Sequence, residues 1–173
     1  LVTVLTGTKN ILKNQSNDRI KEYLNQIDPN NRNFQIISVS DMHTPEHLSG
    51  VIKSIVRKRR YSRHKMLVFT SLKETKNILK LKRLFESENI CKMDINSIML
   101  DDEADQASLN TKATSFGKSS STYSAIRELR SAHSKFHTFF QITATAQALF
   151  CIPEDDPLSP EYVSLSERND NYI

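Results

Sequence analysis

The sequence predicts an α/β domain, a mainly parallel sheet with helices on both faces. Short apolar, β-branched runs alternate along the chain with segments of helical periodicity. Each strand-like run is continuously apolar rather than alternating, the pattern of strands covered on both sides. Polar clusters sit just past four of these runs, where ligands gather in parallel sheets.

The first run, LVTVL at residues 1–5, stops at Thr6-Gly7-Thr8 and reads as a buried strand. Ile11, Leu12, Ile20, Tyr23, Leu24 and Ile27 then recur at helical spacing, until Asp28-Pro29-Asn30-Asn31 breaks the pattern. FQIISVS (34–40) is the second strand. Thr44-Pro45-Glu46 opens a helix, with Thr44 as cap and proline in the first turn, continuing through Leu48, Val51, Ile52, Ile55 and Val56. KMLVFTS (65–71) is the third strand, and helix 74–88 turns Ile78, Leu81, Leu84 and Phe85 inward. INSIMLDD (95–102) is the fourth strand. The polar tract 111–122 reads as a flexible loop, and SSSTYSAIRELRSA (119–132), which overlaps its end, carries Tyr123, Ile126 and Leu129 on one helical face. FHTFFQITATA, from Phe136, is the fifth strand. Asp155-Asp156-Pro157 with Ser159-Pro160 reads as an irregular exit loop.

With 173 residues, 38% hydrophobic and 25% charged, the chain fits one domain over 1–173. No apolar run approaches the ~20 residues of a membrane span, so no membrane role is expected. Cys91 and Cys151 have no metal-binding spacing and sit beside apolar residues, which predicts buried free thiols and suits a reducing cytoplasm. The net charge of +4 permits a nucleic-acid partner without requiring one. Arg57-Lys58-Arg59-Arg60, with Arg63 and Lys65, could hold phosphates or merely complement a helix terminus. His43, His47, His64, His133 and His137 lack the H-E-x-x-H pattern and read as surface or packing residues. The chain opens on a strand and ends at NYI in mid-phrase, so it reads as a piece of a longer protein.

The chemistry concentrates in MLDDEADQASLNT (99–111), where an apolar run leads into four carboxylates within 101–105. Carboxylates that close repel one another and are tolerated on a wet surface or around a cation. An apolar strand delivering acids suits magnesium, which takes one or two carboxylates and keeps much of its water. A neighbouring carboxylate can then orient or deprotonate an attacking water.

Asp102-Glu103-Ala104-Asp105 resembles the second motif of superfamily-two helicases of the DEAD type. Leu5-Thr6-Gly7-Thr8-Lys9 looks like motif Ia, and Thr70-Ser71-Leu72-Lys73 lies where motif Ib would be. Thr143-Ala144-Thr145 looks like the Ser-Ala-Thr motif three. More narrowly, LTGTKNILKNQSNDRI, DDEADQASLNT and QITATAQALFCIPEDDPLSPEYV resemble the helicase-like proteins with the so-called Z-one domain, associated with DNA restriction and phage defence. Those typically read Thr-Ala-Thr-Pro-Gln-Ala where this chain has Ala146 in place of the proline. The resemblance implies a RecA-like fold, here the central and C-terminal part of a first motor domain, with ATP and Mg2+ as cofactors. By it, Asp102 would bind the metal and Glu103 would be the general base. Asp105 would bond to Thr143 or Thr145 and couple hydrolysis to the nucleic-acid path. Thr6, Gly7, Thr8, Lys9, Thr70 and Lys73 would touch the phosphate backbone, giving affinity without reading sequence. DNA is favoured over RNA as substrate. A second motor domain of the same chain, and a nuclease or methylase, are the implied partners.

A motor of this kind needs a loop Gly-x-x-x-x-Gly-Lys-Ser/Thr ahead of the first strand. Gly117-Lys118-Ser119 imitates its tail, but Lys112 stands where the first glycine belongs and no strand leads in. Alone, then, this stretch should bind ATP poorly and hydrolyse it negligibly. Two rival readings remain: a degenerate motor domain serving as scaffold or nucleic-acid clamp, and a two-metal nuclease.

Overall fold

The computed structural model describes residues 1–8, 10–30, 33–41, 49, 52, 66–106, 108, 120–150 and 152–165. Five strands make one sheet: β1 Val2–Thr6, β2 Phe34–Ser38, β3 Met66–Leu72, β4 Asn96–Asp102 and β5 Phe136–Ile142. Their spatial order is β2-β3-β1-β4-β5, and every neighbouring pair is parallel. Helices whose ends are described are α1 Asn10–Ile27, α2 Thr75–Ser87, α3 Ser121–Ala132 and the single-turn α4 Ala146–Phe150. The expected α/β class and parallel sheet are therefore present.

Connection handedness sets where the long helices lie. The route β1–α1–β2 runs toward one edge of the sheet, whereas β3–α2–β4 and β4–α3–β5 run toward the other. Right-handed crossovers then place α1 on one face and α2 with α3 on the opposite face. In agreement, α1 packs on β1 and β3, and α2 packs on α3 and β3.

The main core fills the space between the sheet and the α2/α3 layer. Leu5, Leu67, Phe69 and Met99 from the strands meet Ile78, Leu81, Leu84 and Phe85 from α2 and Tyr123, Ile126 and Leu129 from α3. These helical residues recur at spacings of three and four, so each helix buries one stripe. Phe85 stands edge-on to Phe69, with ring centroids 5.5 Å apart, and to His133 at 5.2 Å. Lys82 of α2 ties the helices together at their rim, reaching Glu86 at 3.2 Å and Glu128 of α3 at 3.1 Å. β5 is an edge strand, and Phe136, Phe140 and Ile142 on its outward face stay about half exposed.

Several boundaries differ from expectation. The expected loop 111–122 and the expected helix 119–132 overlap, and from Ser121 onward the chain is helix, α3. Ser120 caps that helix, its hydroxyl accepting the Tyr123 N–H at 3.2 Å, so the serine-rich run ends as helix start rather than loop. The fifth strand stops at Ile142 and is followed by α4, which the reading of FHTFFQITATA as strand did not foresee. Cys91 is a free thiol but exposed, not buried; it lies in a short 3-10 turn whose inward residue is Ile90. The expected helix over 44–56 lies outside the described residues except for Ser49 and Ile52, and Ile52 joins the core. Cys151, His43, His47, His64 and the basic run 57–65 also lie outside the described residues.

At the amino end of the strands His133 is a buried polar anchor. Its Nε2 meets Thr3 Oγ1 at 3.0 Å and its Nδ1 meets Ser97 Oγ at 2.8 Å, while Ser97 also bonds Ser134 at 2.7 Å. A neutral imidazole has one donor and one acceptor nitrogen, so two hydroxyls satisfy it. Burial, with His137 adjacent, lowers its pKa from 6.5 to about 3. Unfolding frees the ring to protonate, so its contribution to stability is full above pH 6.5 and declines as pH falls from 6.5 toward 3. Urea denaturation should show stability falling by up to about 1.4 kcal/mol per pH unit in the upper part of that window. His133→Gln should flatten the dependence between pH 6.5 and 5; an unchanged slope would refute the assignment.

Candidate functional site

β1 and β4 are neighbours whose outgoing connections diverge, α1 to one face and α3 to the other. The crevice outside their carboxyl ends is thus a topological switch point, the place where open parallel sheets bind ligands. Thr6-Gly7-Thr8, Thr70-Ser71, Asp101 to Asp105 and Thr143 to Thr145 all reach this edge, because all five strands run the same way.

Strand alternation divides the acidic run between the two faces. Asp101 stands beside Leu5 and Gln141 on the α2/α3 face and is fully buried. Asp102 stands beside Ile142 on the other face and is half-buried. Burial raises the Asp101 pKa above the usual carboxylate value, and the charge of Lys73 opposes that rise.

Lys73 follows β3 directly and carries the compensating charge. Its Nζ lies 3.0 Å from Asp101 Oδ1, with both side chains 0% exposed. The ammonium donates to the carbonyl oxygens of Glu103 at 2.6 Å and Gln106 at 3.1 Å, and to Ser108 Oγ at 3.3 Å. Three protons are thereby used, and the Asp101 oxygens, which accept no aligned hydrogen bond among the described residues, are held by Coulomb attraction to Lys73. The Lys73 backbone N–H also donates to the Thr6 carbonyl at 3.2 Å, tying the ends of β1 and β3.

The loop after β4 turns sharply. Glu103 takes a left-handed conformation, φ 54°, which costs a non-glycine residue roughly 1–2 kcal/mol. The turn is closed by bonds from Gln106 N to Glu103 O (2.8 Å), Ala104 N to Ile142 O (2.9 Å) and Glu103 N to Asp102 Oδ1 (3.1 Å). Ala104 is fully buried beneath it, a position where a larger side chain would clash. On the far side, Thr143 Oγ1 donates to Asp105 Oδ1 at 2.7 Å and accepts the Thr145 N–H at 3.0 Å. Of the two threonines expected to meet Asp105, Thr143 and Thr145, Thr143 makes the bond through its hydroxyl. The Thr143 hydroxyl holds the Asp105 pKa below the usual carboxylate range.

The residues expected to touch phosphates are placed unevenly. Thr8 is exposed, whereas Gly7, Thr6, Thr70 and Lys73 are buried. Thr6 Oγ1 donates to the Ser71 carbonyl at 3.2 Å, and Thr70 Oγ1 is buried without a partner among the described residues. Lys9 lies outside the described residues. Lys73 cannot meet a phosphate from this position, because its ammonium is enclosed by the carboxylate loop.

The donor set suits magnesium. Asp102 offers one half-exposed carboxylate at a strand end, and beside it Glu103 Oε2 is buried without a hydrogen-bond partner among the described residues. One or two carboxylates, with water and substrate phosphates, are what magnesium uses. Among the described residues no group of three or more His, Cys, Asp or Glu could form an all-protein metal cage.

Two contacts were not anticipated from the sequence. Lys73 with Asp101 is one. The other is Tyr123, whose hydroxyl lies 2.8 Å from both oxygens of Asp156. That contact, with burial as the larger cause, pushes the phenol up to about 12. The exit segment is thereby fastened over α3, where Arg130 also donates to the Pro157 carbonyl and Leu158 is buried.

Lys73→Met should lower stability by about 3–5 kcal/mol in urea denaturation, because it strands a buried carboxylate. Adding Asp101→Asn should recover most of that loss; no recovery would show that the pair is not the cause. In an NMR titration of the Asp105 carboxyl, Thr143→Val should raise its pKa toward the ordinary aspartate value. An unmoved titration would exclude Thr143 as the source of the shift. No protein-family model, no curated protein and no solved structure matches the chain.

Proposed function

We propose that this chain carries the carboxylate loop of the first, RecA-like motor domain of a helicase-like ATPase acting on DNA. One observation carries the reading: the Asp102–Asp105 loop sits at the switch point between β1 and β4, with Asp105 already bonded to Thr143. Asp102 would hold magnesium through its half-exposed carboxylate, largely by way of water. The metal, bound with ATP, supplies charge neutralisation of the triphosphate. Glu103 would take the proton from the water that attacks the γ-phosphate, and its Oε2, without a hydrogen-bond partner among the described residues, is the acceptor it would use. Asp105 and Thr143 would pass the state of this loop to the end of β5. Among the described members of the set that would meet a phosphate backbone Thr8 is exposed, with Thr6 at the end of β1 and Gly7 just after it in support. A second motor domain would complete the nucleotide site, and restriction or antiviral defence is the setting that the sequence resemblance suggests.

The inward-facing Thr6, Thr70 and Lys73 favour a second reading, a motor domain retained as scaffold or nucleic-acid clamp. Glu103→Gln in the full-length protein separates the two. In the motor, ATP turnover should fall by about 10²–10⁴-fold while ATP affinity stays near wild type, since Asp102 is intact. Turnover equal to wild type would remove Glu103 as the base. Cleavage of DNA with magnesium and without ATP would instead point to a nuclease.

A further inference from the structure

A lysine with its ammonium fully enclosed needs a reason, since burying a charge is costly unless it is paired and hydrogen-bonded. Lys73 is paired, yet its shortest contact is not to Asp101, which lies at 3.0 Å. It goes to a main-chain carbonyl of the next loop, Glu103 at 2.6 Å, and a further bond reaches the Gln106 carbonyl at 3.1 Å. Those two carbonyls bracket the left-handed turn, and Glu103 O also accepts the Gln106 N–H at 2.8 Å. The turn is costly for a glutamate, and persists only where its surroundings over-determine it. Ile142 holds it from β5 through Ala104, and Lys73 holds it from below.

We propose that Lys73 is a positioning residue, whose buried ammonium fixes the Glu103–Gln106 turn and so sets how Asp102 and Glu103 face a divalent cation. Asp101 serves the same end: it neutralises Lys73 from the opposite face of the strand that delivers Asp102. The same lysine bonds Thr6 through its backbone, so the end of β1 and the carboxylate loop share one anchor. The metal-directed half of this inference rests on the ATPase reading above, whereas the ordering of the turn does not.

The test uses full-length protein, wild type against Lys73→Met/Asp101→Asn, which removes both buried charges together. Hydrogen exchange reads the amides of 103–106, and electron paramagnetic resonance reads the binding of Mn2+ alone. The variant should unfold as cooperatively as wild type, exchange these amides at least about tenfold faster and bind Mn2+ about 10–100-fold more weakly, as when outer partners of metal ligands are lost. Unchanged exchange in the folded variant overturns the proposal, and so does faster exchange with unchanged Mn2+ affinity. Should the double variant not fold, Lys73→Arg keeps the charge but not the compact three-proton geometry, and both readouts must move the same way. Asp102→Asn is the control for the metal. If it leaves Mn2+ affinity unchanged, the ATPase reading fails, and faster exchange in the Lys73 variant then supports the ordering role alone.

Discussion

The candidate site depends on one buried charge. Five parallel strands deliver polar residues to one edge, but parallel delivery alone would leave four carboxylates crowded on a loop. The alternation of β4 sends Asp101 below the sheet and Asp102 above it, which separates two charges that would otherwise repel. Lys73 then neutralises the lower one and spends its three protons on the loop that carries the others. Replacing such a pair with apolar residues is often neutral for stability, whereas breaking it is expensive. Its retention here fits a role in shape: the ammonium faces the carbonyls of a turn that glutamate does not prefer.

Much of the fold was legible because periodicity reports burial. Continuous apolar runs gave the five strands, and stripes at 78, 81, 84 and 85 and at 123, 126 and 129 gave the two helices over the core. What escaped depends on tertiary context. Cys91 has an apolar neighbour, Ile90, but a 3-10 turn points one inward and the other out. Ser120 falls where the loop and helix readings overlap, and its hydroxyl, capping α3, decides between them. Asp156 lies in a proline-bounded segment whose meaning comes from Tyr123, 33 residues earlier in the chain.

The site shows the same division. The bond between Thr143 and Asp105 was expected from the family resemblance alone, and the parallel pairing of β4 with β5 is what brings the two residues together. The burial of Lys73 was not expected. Beside Thr70 and Ser71 at a strand end, a lysine reads as a phosphate contact, and only the fold reveals that it lies on the same face as Asp101. Adjacent acids in a strand must point to opposite faces. That rule was available from the sequence, and it would have asked what neutralises the buried one.

In the proposed reading this loop is the metal site of a DNA-responsive ATPase. The most direct test is ATP hydrolysis by the full-length protein, with and without magnesium and with and without DNA. Hydrolysis should require magnesium and rise with DNA. A folded protein that hydrolyses no ATP under any of these conditions would contradict the reading.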